Sequence, residues 1–216
     1  MKHVLSVQDL SCLGKCSLTV ALPVLSAMGC VCTPLPTAIL SSHTAFPAPC
    51  VWDMTEQILP NYRHMQSTGV CFDAVTVGYL SDVSQAVAVS TLLDSSSGIK
   101  IIDPAMGDNG QLYAGLKNDH VNAMKTLCQK SNILLPNVTE AALLTDMPYQ
   151  PQGDAAYYQD LLSQLQKLGA DSILLTGACA DANKTGFFIS GEGGTVDGNR
   201  SRRRFGNDSD IHHFVV

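Results

Sequence analysis

Acidic and amide side chains follow two short apolar runs in the middle of this sequence, where they could bind a metal ion or a phosphate group. Asp103 comes directly after Ile99–Ile102 and opens a turn rich in proline and glycine. Asn137 and Glu140 follow Asn132–Leu135 in the same way. A carboxylate at such a point can hold Mg²⁺. Asp103 can equally initiate a turn, and the other two can equally cap a helix.

Polar residues also follow apolar runs elsewhere. Asp9 follows the first run of the chain, and Thr176-Gly177 closes a late one. The cluster Ser42-His43-Thr44 is a weak signal taken alone, because a histidine in a loop is usually solvated. The segment Gly14-Lys15-Cys16-Ser17 lacks the first glycine of a P-loop and has a cysteine in place of its magnesium-binding hydroxyl, so that motif is excluded.

A fold must bring these residues together. Short β-rich runs alternate with longer amphipathic runs along the chain. The alternation predicts βαβ units and a mostly parallel sheet with helices on both faces. Ligands bind at the carboxyl ends of the strands in such folds. Asp53, with Glu56 three residues on, predicts a capping box. Predicted strands are His3–Val7, Val31–Leu35, Ala74–Tyr79, Ile99–Ile102, Asn132–Leu135, Ser172–Thr176 and Thr185–Ser190; predicted helices are Ser17–Met28, one from Asp53, Asp82–Leu93, Asn118–Gln129 and Asp154–Leu168.

Composition narrows the function classes. The 216 residues are 45% hydrophobic and 15% charged, which is enough apolar material for one large α/β domain, with two small domains as the alternative. A net charge of −6 argues against nucleic acid or an anionic membrane as the main partner. The eight cysteines form no C-x-x-C pair, which favours reduced thiols. We find no export signal and no membrane span, and we expect a cytoplasmic protein.

Taken in order, these motifs resemble those of pyridoxal and pyridoxamine kinases of the ribokinase superfamily, over roughly residues 2–190. The Asp-Pro-x-Met-Gly and Pro-Asn-x-x-Glu motifs are also shared with hydroxymethylpyrimidine kinases, so they specify the superfamily more than the substrate. The matching segments are Ser6–Asp9, Gly14–Leu18, Pro36–Ala38, Ser42–Thr44, Gly78–Leu80, Asp103–Gly110, Pro136–Ala141 and Leu174–Gly177.

The resemblance implies a three-layer αβα ribokinase-like fold and an ATP-dependent phosphotransferase. Its substrate would be the 5′-hydroxymethyl group of pyridoxal, pyridoxamine or pyridoxine, giving pyridoxal 5′-phosphate in vitamin B6 salvage. Mg²⁺ and a monovalent cation would assist, and analogy with relatives implies a homodimer. The implied substrate-binding residues are Asp9, His43, Thr44 and Tyr79; the implied nucleotide-binding residues are Asp103, Asn137, Glu140, Thr176 and Gly177, with Asp103 and Glu140 as metal ligands.

The sequence departs from the family after residue 190. Family members carry a Gly-Thr-Gly-Asp segment that binds the transferring phosphate and supplies the catalytic base. The nearest match here is Asn207–Ile211, which makes Asp210 the candidate base. We therefore expect an incomplete kinase domain over 1–190 and an aberrant, disordered tail over 191–216, with the C-terminal helices missing. We interpret the arginine-rich tail as the result of a shifted reading frame or a disrupted end, and a basic tail that binds polyanions is the alternative.

Two further functions stay open at this point. One is a hydroxymethylpyrimidine kinase of thiamine synthesis, which would prefer the pyrimidine alcohol to pyridoxamine. The other is a non-catalytic protein that still binds a B6 vitamer or a nucleotide, which follows if the missing base and phosphate site abolish turnover.

Overall fold

Parallel strands joined by helices form the framework of the chain. The computed structural model describes residues 1–178, 184–190 and 196–201, and for 184, 185 and 196–201 it describes the backbone alone. These residues fold as two compact units, which divide between residues 100 and 101. Within the described part of the chain, no helix combines the length and the apolar character needed to cross a bilayer.

In the first unit, β1 pairs in parallel with both β2 and β4, and the short β3 pairs antiparallel with β2. The strand order is therefore β4-β1-β2-β3. Helix α1 packs on β1 and β2, and α2 packs on β2 and α3. The elements are β1 His3–Leu13, α1 Leu18–Ala27, β2 Val31–Ser42, β3 Val51–Asp53, α2 Thr55–Ser67, β4 Ala74–Val77 and α3 Val83–Asp94.

In the second unit, β5, β8 and β9 are parallel, and β10 and β11 continue the order β5-β8-β9-β10-β11 as antiparallel strands. Helix α6 packs on β9 and on α5, and α5 also contacts α4. The elements are β5 Ile99–Ile102, β6 Gly107–Asp108, β7 Gln111–Leu112, α4 Asn118–Cys128, β8 Ile133–Leu134, α5 Val138–Thr145, α6 Ala155–Gln166, β9 Ser172–Ala178, β10 Lys184–Ser190 and β11 Val196–Ser201.

Side-chain caps begin three of the helices. The Asp82 carboxylate accepts from the Gln85 N–H at 2.9 Å at the start of α3, and Asp154 accepts from the Tyr157 N–H at 2.8 Å at the start of α6. Helix α5 begins with a capping box formed by Asn137 and Glu140. Each cap satisfies an N–H group that has no partner inside its helix.

The predicted α/β class with a mostly parallel sheet is confirmed. The predicted capping box with Asp53 as the N-cap residue is wrong, because Asp53 is the last residue of β3, where it pairs with Ala38, and Met54 precedes the first residue of α2, Thr55. The Asp53 Oδ1 nevertheless accepts a hydrogen bond from the Thr55 N–H at 2.8 Å. Strand β11 was not predicted. The remainder of the segment after residue 190 lies outside the described residues, so the disordered tail stays a prediction.

Candidate active site

In the first unit, Asp9 lies where the pairing of β1 with β2 changes register, between Gln8 and Leu10. Such irregularities in a sheet redirect a side chain. The Asp9 side chain is only 5% exposed, and its Oδ2 accepts a hydrogen bond from the Ser11 hydroxyl at 2.9 Å. Ser11 is 1% exposed. The carboxylate is therefore held in a fixed, buried position by the residue two places along the same strand.

Tyr79 follows the end of β4 and is half-buried near Asp9. Burial raises the pKa of the Tyr79 phenol, and the Asp9 and Asp82 carboxylates raise it further. Burial also raises the pKa of the half-buried Cys16 thiol. A hydrogen bond with Ser11 lowers this pKa, and the negative charge of Asp9 raises it. We call Asp9, Ser11, Cys16 and Tyr79 the Asp9 cluster.

His43 lies after β2 and is fixed by local contacts. Its N–H donates to the Leu13 carbonyl at 3.0 Å, and its Nδ1 accepts from the Ala45 N–H at 3.2 Å. The ring lies over Gly14, whose φ is +96°, and a Cβ at Gly14 would come within 2.0 Å of the His43 Cδ2. Gly14 therefore leaves room for this ring. Thr44 is exposed.

The structure brings some of the predicted substrate residues together. Asp9 and Tyr79 are close enough to interact electrostatically. Among the described residues, the one side chain that hydrogen-bonds Asp9 is Ser11, so neither His43 nor Thr44 does. The roles of His43 and Thr44 stay predictions.

In the second unit, Asp103 and Glu140 are two carboxylates buried close together. Asp103 follows β5 and is 8% exposed, and Glu140 lies in the first turn of α5 and is 2% exposed. The Asn137 N–H donates to Glu140 Oε2 at 2.8 Å, and the Met106 N–H donates to Oε1 at 3.2 Å. Both oxygens of Glu140 are thus held by the backbone.

Asn137 connects Glu140 to the neighbouring strand end. Its Oδ1 accepts from the Glu140 N–H at 2.9 Å, and its Nδ2 donates to the Gly107 carbonyl at 2.9 Å. Asn137 also bridges to Thr176 of β9, whose N–H donates to the Pro136 carbonyl at 2.9 Å. We call Asp103, Asn137, Glu140, Thr176 and Gly177 the Glu140 cluster; the structure thus assembles the five residues predicted to bind nucleotide.

The buried carboxyls of the Glu140 cluster prefer to be protonated. Burial raises the pKa of Asp103 to about 7. Burial and then repulsion from Asp103 raise the pKa of Glu140 well above its usual value, against the opposing effect of its backbone donors. The same burial raises the pKa of the nearby Cys128 thiol, and the two carboxylates raise it further. This site would stabilise a positive charge.

The two carboxylates fit a Mg²⁺ ion that takes most of its ligands from water and from phosphate oxygens. Among the described residues, Asp103 accepts no hydrogen bond, and no cationic side chain pairs with Asp103 or Glu140. The described part of the chain contains no group of three or more histidine, cysteine, aspartate or glutamate side chains that would enclose an ion. Mg²⁺ is commonly bound by one or two carboxylates together with phosphate oxygens.

Sequence reasoning missed the two supports of these clusters. Ser11 is two residues from Asp9, so both side chains lie on the same face of β1, and this spacing could have indicated the contact. The backbone donor at Met106 had no such signal, because it depends on how the turn after Asp103 folds back. The candidate base Asp210 lies outside the described residues, and its role stays a prediction.

Comparison with known proteins connects this geometry to a family. Residues 20–203 match the family model described as phosphomethylpyrimidine kinase. A pyridoxal kinase of Lactobacillus plantarum is 34% identical and superposes with a TM-score of 0.86, covering 95% of this chain and 74% of its own. A candidate phosphomethylpyrimidine kinase of Bacteroides thetaiotaomicron, crystallised with pyridoxal, is 32% identical with a TM-score of 0.85, covering 91% of this chain and 72% of its own.

Among curated proteins, the pyridoxal kinase of Dictyostelium discoideum is 25% identical over 92% of this chain and 67% of its own length. Other curated relatives are matched over half of their length or less. The resemblance drawn from the motifs, to pyridoxal kinases within the ribokinase-like superfamily, is confirmed.

The raised pKa of Asp103 predicts a pH-dependent stability. The folded chain binds the Asp103 proton more tightly than the unfolded chain does. The protonated Asp103 therefore makes its whole contribution to the free energy of unfolding below about pH 4, and this contribution is lost as the pH rises to about 7. We expect a loss on the order of 2–4 kcal/mol over that range. Urea unfolding of the wild type and Asp103→Asn at several pH values measures it.

The difference between the two stability curves reports Asp103 together with its coupling to Glu140, because removing the Asp103 charge also removes the repulsion that raises the pKa of Glu140. Carboxyls with lowered pKa values, such as Asp53 and Asp73, make the fold less stable as the pH falls, and they do so equally in the wild type and in the variant. Parallel curves for wild type and variant would show that Asp103 ionises normally in the folded chain.

Proposed function

The chain belongs to the phosphomethylpyrimidine kinase family, and from this premise we propose that it transfers the γ-phosphoryl group of ATP to the 5′-hydroxymethyl group of a vitamin B6 alcohol. One observation carries the proposal: Asp103 and Glu140 are buried close together, and no cationic side chain of the described residues neutralises them. Two like charges in a site of low polarity favour a divalent cation and the phosphates it accompanies.

Each cluster receives its own ligand in this proposal. The Asp9 cluster takes the B6 ring, with His43 and Thr44 completing its surroundings. Support comes from the pyridoxal bound to the Bacteroides relative and from the pyridoxal kinases among the matched proteins. The Glu140 cluster takes Mg–ATP, with Asp103 and Glu140 facing the metal ion.

Asp103 and Glu140 would hold Mg²⁺, which when bound would neutralise the negative charge that develops on the phosphates during transfer. The chain contributes fixed positions for that ion. Backbone N–H groups and the Asn137 cap hold the Glu140 side chain in one orientation, so little rearrangement is needed on binding. Thr176 and Gly177 would line the nucleotide; Gly177 has a φ of +70° and open space at its Cβ position, which permits close approach.

The proposal is tested with the purified chain, Mg²⁺ and ATP, by following pyridoxal 5′-phosphate formation from pyridoxal. We expect turnover, and we expect Asp103→Asn to lower kcat/KM by roughly 10²- to 10³-fold, because a preorganised charge at the phosphates is lost. The matched control is Asp171→Asn, an exposed carboxylate just before the other end of β9, which should retain wild-type turnover.

Turnover of the pyrimidine alcohol in preference to all B6 alcohols would replace the proposed substrate by that of a hydroxymethylpyrimidine kinase. Absence of turnover with both substrate classes would overturn the proposed activity and leave a non-catalytic binding protein. An equal decrease in kcat/KM for Asp103→Asn and Asp171→Asn would show that Asp103 is not part of the site.

Asp210 is the proposed base that accepts the proton of the substrate hydroxyl. If it is, Asp210→Ala should lower kcat by roughly 10²- to 10⁴-fold with little change in the KM for ATP, as loss of general base catalysis predicts. Steady-state kinetics with the neighbouring Asp208→Ala as control measure this. An unchanged kcat in Asp210→Ala would exclude Asp210 as the base.

A further inference from the structure

A short hairpin formed by β6 and β7 follows Asp103 and turns at Asn109 and Gly110. Both turn residues have a positive φ, 51° and 77°, which a two-residue turn between antiparallel strands favours. The Gly110 N–H donates a hydrogen bond to the Thr139 hydroxyl of α5 at 2.9 Å. The tip of the hairpin is therefore tied to the first turn of this helix.

Thr139 holds the tip of the hairpin in a definite direction. It is 2% exposed, whereas Gly110 is exposed. A buried hydroxyl that loses its partner is costly, so the hydrogen bond favours this position of the hairpin. The Tyr149 ring also lies against Gly110, since a Cβ at Gly110 would come within 2.5 Å of the Tyr149 Cδ1. Packing by the ring keeps the tip near α5, and the hydrogen bond to Thr139 sets its orientation.

The base of the same hairpin contacts Glu140. The Met106 N–H, one residue before β6, donates to Glu140 Oε1 at 3.2 Å, and the Gly107 carbonyl accepts from the Asn137 side chain at 2.9 Å. Thr139 and Glu140 are neighbours in α5, so one helical turn holds both the base and the tip of the hairpin. A hairpin held at its base alone could tilt and carry the Met106 N–H away from Glu140. The contact at the tip opposes this motion.

We propose that Thr139 is a positioning residue for the metal ion. By tying the hairpin tip to α5, it keeps the Met106 N–H on Glu140 Oε1, and so it keeps the Glu140 carboxylate in the orientation that Mg²⁺ requires. This inference rests on the proposed function, because it takes Asp103 and Glu140 as the residues that hold Mg–ATP. The Thr139 hydroxyl acts through the hairpin and is not itself a ligand of the ion.

The test measures binding to the full chain by calorimetry, with ADP in the presence and absence of Mg²⁺ and with pyridoxal as a separate ligand. Thr139→Val keeps the shape and removes the acceptor, and Thr139→Ser restores it. Thr145→Val is the matched control, because Thr145 is a half-buried threonine of the same helix whose hydroxyl donates to the Ala141 carbonyl at 2.7 Å. Amide hydrogen exchange at Gly110, followed by NMR, checks the contact itself.

We expect Thr139→Val to raise the Kd for ADP roughly 3- to 10-fold when Mg²⁺ is present, and to change it less than about twofold when Mg²⁺ is absent. The Kd for pyridoxal should stay unchanged, because the Asp9 cluster lies in the first unit. Exchange of the Gly110 N–H should become about tenfold faster, since its acceptor is lost. Thr139→Ser should recover the binding and the slow exchange, and Thr145→Val should behave like the wild type.

An unchanged Kd for ADP with Mg²⁺ in Thr139→Val overturns the inference, and so does unchanged exchange at Gly110. An equal loss for pyridoxal, or for ADP without Mg²⁺, also overturns it. A loss of the same size in Thr145→Val, or one that Thr139→Ser does not recover, refutes it by showing a general effect on folding.

These outcomes differ from failure of the proposed function, because none of the measurements requires turnover. A chain that shows the expected Mg²⁺-dependent loss in Thr139→Val without phosphorylating pyridoxal would refute the kinase proposal alone. A wild-type chain that binds no ADP in the presence of Mg²⁺ would overturn both.

Discussion

Repulsion between two buried carboxylates, Asp103 and Glu140, is the constraint on which the proposed chemistry of this protein depends. Burial disfavours both charges, and each charge disfavours the other, so the pair is stable only when protonated or when a cation is present. The backbone donors at Met106 and Asn137 keep Glu140 in place in either condition. Occupation of this site by Mg²⁺, as we propose, would relieve an unfavourable interaction that already exists in the chain.

The same physical logic applies to the Asp9 cluster, with a different expected ligand. Asp9 is a single buried carboxylate supported by one hydroxyl, without the backbone donors that surround Glu140. Two carboxylates suit a metal ion that shares its remaining ligands with phosphate. The number of buried carboxylates and the type of hydrogen-bond donor that supports them therefore distinguish the proposed ring site from the proposed nucleotide site.

Features that depend on neighbours in sequence were predictable, and features that depend on distant pairing were not. The helix that begins at Asp82 follows from a local contact over three residues, and so does the cap at Asn137. For Asn137 and Glu140 the sequence left capping and metal binding as alternatives; the structure has the capping box, and the same contacts orient the Glu140 carboxylate. Asp53 shows the opposite case, since its backbone pairs with Ala38 in β3 and Met54 becomes the residue before α2, even though the Asp53 Oδ1 still accepts from the Thr55 N–H at 2.8 Å. Strand β11 likewise depends on pairing with β10, which no periodicity in its glycine- and asparagine-containing sequence indicates.

The most direct measurement is a carbon-13 NMR titration of the Asp103 side-chain carboxyl, assigned with Asp103→Asn, in the absence and presence of Mg²⁺ and ATP. We expect a midpoint near pH 7 in the free chain and a marked decrease in that midpoint when Mg²⁺ and ATP are bound. A midpoint of about 4, the value of an ordinary aspartate, in both conditions would contradict it.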